Sequence, residues 1–141
     1  MAVIIGFDGK NIYTENKYNY PVVTNFTELE TAFVQNVENI LRDCFNPDFP
    51  IRIEQRSQDY LSMMVGEHSD FLRFKCTERT KWFTVCLSPI KRKESGIESR
   101  FDSCKPTIIH WKIKLKSVDD LINYSDIIQD AYLHGVAMSK I

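Results

Sequence analysis

Glycine and proline are scarce, with five of each in 141 residues. The glycines are scattered, so no Gly-rich loop is present to cradle a phosphate. Four cysteines (Cys44, Cys76, Cys86, Cys104) and three histidines occur, but no C-x2-C pair. A zinc site needs three or four convergent ligands, so no metal and no cofactor is expected. No apolar run reaches the roughly 18 residues of a membrane span. The first ten residues, MAVIIGFDGK, lack a basic n-region, and their apolar run is too short for a signal peptide. A cytoplasmic protein with reduced thiols is therefore expected. A dominant charge of one sign is also missing, the net charge being −1.

The near-neutral total hides a partition. Residues 1–50 carry three Lys/Arg and seven Asp/Glu, residues 51–116 carry fourteen and eight, and residues 117–141 carry one and four. The middle is basic and the two ends are acidic. An apolar fraction of 43% with 26% charged residues is that of a globular chain, and the length fits a single compact domain over residues 1–141.

Asp8-Gly9 between Ala2–Phe7 and Asn11–Thr14 predicts a tight hairpin, because type I′ turns need positive φ at both central positions. Thr27 and Glu30 form a capping-box pattern ahead of Leu29, Phe33, Val37, Ile40, Leu41 and Cys44, which recur at helical spacing as far as Asn46-Pro47. Ile51–Arg56 alternates like a half-buried strand, and Asp59–Val65 is its expected partner. Residues 89–106 read as a long basic loop holding Lys91, Arg92 and Lys93. Thr107–Lys116 alternates Ile109, Trp111, Ile113 and Leu115 against Ile108, His110, Lys112 and Lys114. Ser117 and Asp120 predict a second capping box, opening a helix through Leu121, Tyr124, Ile128, Ala131 and Tyr132, with Gly135 as its C′ residue.

The order β-β-α-β-β-β-β-β-α with short strand links demands antiparallel pairing. The expected fold is α+β and two-layered, an antiparallel sheet with two helices packed on one face. The opposite face then meets water or a partner. Read off the strands, it carries Arg52, Glu54, Arg56, Phe71, Arg73, Lys75, Trp82, Thr84, His110, Lys112 and Lys114.

Asp70–Leu87 (DFLRFKCTERTKWFTVCL) is the most informative stretch. Folded about a Thr77–Thr80 turn, it pairs Phe74 with Phe83 and Lys75 with Trp82. Leu72, Phe74, Phe83, Val85 and Leu87 point to one side; Phe71, Arg73, Lys75, Trp82 and Thr84 point to the other. Cys76 falls on the core side.

The segments FLRFKCTERTKWFTV and HWKIKLKSVDDLINYSDIIQDAYLHGV resemble the C-terminal half of the MmcQ/YjbR-like family of small bacterial domains. That family shares a strand ending near "FK", a "K-aromatic-F" strand, an "HW" strand and a closing helix with a late Tyr, in this order. The resemblance spans about half of the chain and implies a small α/β fold like that of a DNA-binding module. The basic loop 89–106 departs from it, and the hairpin 2–14 has no counterpart.

Catalytic patterns do not assemble. Cys86 and His110 lack a nucleophile elbow or an oxyanion hole. Asp70 with Glu78 and Lys81 echoes a metal nuclease, but Glu78 sits in a turn rather than on a rigid strand. What remains is the basic, aromatic face: Arg73, Lys75, Trp82, His110, Lys112 and Lys114, with the turn cations Arg79 and Lys81. Lys91, Arg92 and Lys93 either extend it or solvate a loop. Trp82 opposite Lys75 also reads as an internal cation–π pair. The expected function is a non-catalytic protein-binding module that meets an acidic protein surface. It would act as an adaptor or an inhibitor, a class that includes those mobile elements carry against host defence. The alternative is nucleic-acid binding by the same face, for which a basic pI is usual; this chain's is 6.3.

Overall fold

The computed structural model describes residues 26–55, 59–65, 69–96, 105–106 and 111–139. The hairpin expected over 2–14 lies outside them, as do Arg56, His68, Cys104, residues 107–109 and His110. Helix α1 spans Glu28–Leu41 and begins as the capping box requires. Thr27 Oγ1 accepts from the Glu30 N–H at 3.1 Å, and the Glu30 carboxylate accepts from the Thr27 N–H at 3.0 Å. Its apolar stripe buries Phe33, Val34, Val37, Ile40 and Leu41. Phe33 stacks on Phe74 with ring centroids 4.1 Å apart.

Strands β1 (Ile51–Glu54), β2 (Leu61–Val65), β3 (Ser69–Cys76), β4 (Lys81–Val85), β5 (Lys105–Pro106) and β6 (Trp111–Lys114) make a six-stranded sheet in the order β1-β2-β3-β4-β6-β5. Every neighbouring pair is antiparallel. The β3–β4 hairpin has the expected register, Phe74 opposite Phe83 and Lys75 opposite Trp82. Its four-residue turn is closed by the Thr77 N–H on the Thr80 carbonyl at 2.9 Å.

After β6, a 3-10 segment (Val118–Tyr124) leads into helix α3 (Ser125–Ser139). Ser117 and Asp120 cap the 3-10 segment rather than an α-helix, so the expected second helix is two elements. Both α1 and α3 cover the same sheet face. Phe33 meets Phe74 and Phe83 there, and Tyr132 meets Phe71 edge-on at 5.6 Å. The Tyr132 hydroxyl donates to the Phe49 carbonyl at 2.9 Å and accepts from the Asn46 N–H at 3.1 Å, tying α3 to the turn before β1. The fold is α+β, an antiparallel sheet with helices on one face.

Four further expectations are corrected. Residues 89–106 are not simply a loop: helix α2 occupies Pro89–Ser95 and β5 follows. Ser88 caps α2 by accepting from the Lys91 N–H at 3.2 Å, and Gly96 ends it at φ 62°. Gly135 is no C′ residue but lies inside α3, where a Cβ would fall 2.4 Å from Val65 Cγ1. It lets helix and sheet approach closely. Phe71 does not face outward. The register slips between Met63 and Met64, with Met63 opposite Leu72 and Met64 opposite Asp70. Phe71 is thus an extra residue in a β-bulge, and it turns to the helix side, 1% exposed.

The fourth correction concerns the outer sheet face, which is only partly wet. Arg52, Glu54, Ser62 and Thr84 are buried there, at 2%, 1%, 0% and 4% exposure. Arg52 and Glu54 are two residues apart on one strand and so share a face. Arg52 Nε donates to Glu54 Oε2 at 2.7 Å. A buried charge demands a partner, and here each supplies the other's.

Candidate functional site

Register gathers the outward residues of three strands into transverse rows. Lys75 on β3, Trp82 on β4 and Lys114 on β6 form one row, while Arg73, Thr84 and Lys112 form the next. Tyr60, just ahead of β2, flanks the first row, its ring centroid 6.0 Å from that of Trp82.

Cations and aromatic rings alternate across this face. The Arg73 guanidinium lies 5.2 Å from the Tyr60 ring centroid. The Lys112 ammonium lies 4.3 Å from the Trp82 ring centroid. The sequence pairs Trp82 with Lys75, but Lys112 on the diagonal takes the ring, because long side chains reach diagonal neighbours across a pleat. Such a contact contributes about 0.5–1 kcal/mol at an exposed site. Arg73 is further committed: its Nε donates to Asp70, a side chain that is itself buried. Burial opposes the Arg73 charge, but the hydrogen bond and charge of Asp70 outweigh it and raise the pKa above the usual arginine value.

The remaining cations lie elsewhere. Lys81 is in register with Cys76, on the helix side, and its ammonium donates to the Glu78 carbonyl at 3.2 Å. Arg79 is exposed at the hairpin tip. Lys91, Arg92 and Lys93 belong to α2, beyond the far end of β4 from Trp82 and packed against α3. There Lys91 pairs with Glu94 at 3.3 Å, and that hydrogen bond, followed by the charge of Asp130, raises its pKa. The Arg92 guanidinium donates to the Leu87 carbonyl at 3.4 Å.

Among the described residues, burial pushes the thiols up, toward the neutral form. Cys86 lies near Asp70, Arg73 and Arg92, and its pKa is raised chiefly by burial, then by Asp70, with the two arginines opposing. Cys76 is raised by burial and donates to the Leu29 carbonyl at 3.4 Å. Thiolate is the nucleophile and metal ligand, so these environments oppose both roles. Among the described residues no group of three or more His, Cys, Asp or Glu is placed to hold a metal. None of the helices among them is long and apolar enough to cross a membrane.

One cleft adjoins the face. It measures about 130 Å³ and is bounded by Glu30, Asp59, Tyr60, Lys75 and Cys76 among others. Ligand pockets run to about 300–1,000 Å³, so this one has room for a side chain rather than for a whole substrate. Tyr60 was not singled out in the sequence. Its signal was available only through space, since it precedes β2 and meets Trp82 across β3. Comparison of the chain with family models, curated proteins and solved structures finds no match.

Proposed function

We propose that the protein is a non-catalytic protein-binding module whose Lys75–Trp82–Lys114 face meets an acidic surface of a partner. The observation that carries this reading is the state of the Trp82 ring. A single-strand nucleic-acid platform needs an aromatic face open for a base to stack on. Lys112 already lies over the Trp82 ring at 4.3 Å and Tyr60 flanks it. What is left is a cationic rim around half-buried aromatics, the kind of anchor favoured at protein interfaces. The acidic ends of the chain also favour a protein over a polyanion, since phosphate binding rests on net positive charge. The resemblance to small bacterial MmcQ/YjbR-like domains adds an expectation about fold and leaves the partner open.

Site-specific photo-crosslinking tests the reading. A photoreactive residue at Lys114 is expected to capture protein, and one at exposed Met138 on α3 is not. Crosslinks from position 114 to DNA or RNA would overturn the proposal in favour of nucleic-acid binding. Equal capture from positions 114 and 138 would remove the face as a site.

A further inference from the structure

Among the described residues, four cations gather around Trp82 and Thr84 on the outer face, yet they are not equivalent. Arg73 is spent on Asp70 and Tyr60, and Lys112 on Trp82. Lys75 and Lys114 make no ion pair with any carboxylate among the described residues. They stand on either side of Trp82 in a single row, Lys75 opposite Trp82 and Trp82 opposite Lys114. Two strand spacings separate their backbones, about 10 Å.

We infer that this row seats an acidic helical segment of the partner, packing an apolar side chain against the Tyr60–Trp82–Lys112 stack, with a carboxylate to either side of it, one for each lysine. The inference rests on the protein-binding reading above and narrows it. Charge complementarity sets the carboxylates, and the half-buried indole sets the apolar group between them. Spacing sets the helix. Seven helical residues advance about 10.5 Å, and a residue at i+3 or i+4 lies on the same stripe between the two ends. An extended segment instead repeats on one face at about 6.8 Å or 13.6 Å. Lys75 and Lys114 are then the specificity-determining pair, while Arg73 and Lys112 hold the aromatic rings in place.

Calorimetric titration of the full chain with two Ala-based helical peptides, each about 18 residues long so that a helix forms, tests this. One carries Glu, Leu and Glu at i, i+4 and i+7; the other has the same composition with one Glu moved to the opposite face. The first is expected to bind about five-fold more tightly than the second, the worth of one exposed ion pair. Lys75→Gln and Lys114→Gln should each erase about that five-fold preference while the thermal midpoint stays put. Equal binding of the two peptides would overturn the spaced stripe yet leave acidic-protein binding standing. Binding of neither peptide would overturn the acidic helix, and salt-sensitive binding of single-stranded DNA alongside it would overturn the protein-binding reading as well.

Discussion

At the scale of single residues, Gly135 faces the sharpest steric demand. A Cβ there would lie 2.4 Å from Val65 Cγ1 and 3.3 Å from Phe71 Cβ. Neither neighbour can retreat easily, since Val65 is β-branched and fully buried in a strand and Phe71 is locked in the bulge. On helix propensity alone, Gly135→Ala would gain about 1 kcal/mol. Overpacking of a close-packed interior costs about 1–3 kcal/mol, and here it wins. Urea unfolding of Gly135→Ala should therefore show lower stability than the parent, and Val65→Ala in the same chain should recover part of the loss. A more stable Gly135→Ala would contradict the close approach. Sequence spacing gave Gly135 the role of a helix end because glycine at the close of an apolar helical stripe usually is one. A helix pressed on a sheet demands the same residue, and only the position of Val65 separates the two cases. Trp82 teaches a similar lesson. Its facing and its strand neighbours were legible from alternation, but its cation was not, since alternation ranks Lys75 and Lys112 by register and not by reach.

At the scale of elements, the hairpin β3–β4 was read with its register intact because Phe74, Phe83, Lys75 and Trp82 alternate without interruption. The alternation fails where β3 meets β2. An extra residue in one strand inverts the facing of whatever precedes it, and nothing in DFLRF announces it. Phe71 decides between the two facings by energy. On a wet outer face, Phe71→Ala would change stability by little. Packed at 5.6 Å against Tyr132 and 1% exposed, its truncation should cost about 3–5 kcal/mol. Chemical denaturation of Phe71→Ala, with Lys75→Ala as a solvent-facing comparison, measures the difference. A loss below about 1 kcal/mol would return Phe71 to the surface. Helix α2 is the opposite case, because its signals were present: Ser88 as cap, Pro89 in the first turn and Gly96 at the end. Pro89–Ser95 buries no residue, so no apolar period draws attention to it.

At the scale of the whole molecule, the α+β class and the placement of both long helices on one face followed from element order and apolar spacing. The dryness of half the outer face did not, because alternation tells which residues share a face and not whether that face is covered. Ile51-Arg52-Ile53-Glu54 alternates like a half-exposed strand and is buried throughout. Burial on both sides of the sheet also shapes the response to pH. Cys44, Cys76 and Cys86 all have pKa values raised above the ordinary 9.0, in each case chiefly by burial. Tyr132 is raised above 10.0 for the same reason. The folded protein thus holds these protons more tightly than the unfolded chain does. Stability that depends on them is fully present below the unfolded values and drains away as pH climbs through the folded ones. With a reductant present, the thermal midpoint should therefore fall from about pH 8 to about pH 10, the range in which ordinary thiols ionise. The slope should be shallower when Cys44 and Cys86, the two half-exposed thiols among the described residues, are both replaced by Ala. Cys76 is left in place because it is buried in the core between sheet and helices, so removing it would confound packing with titration. A midpoint that rises over the same interval would mean that the buried thiols ionise more readily in the fold than outside it, against every environment in which the sheet and helices hold them.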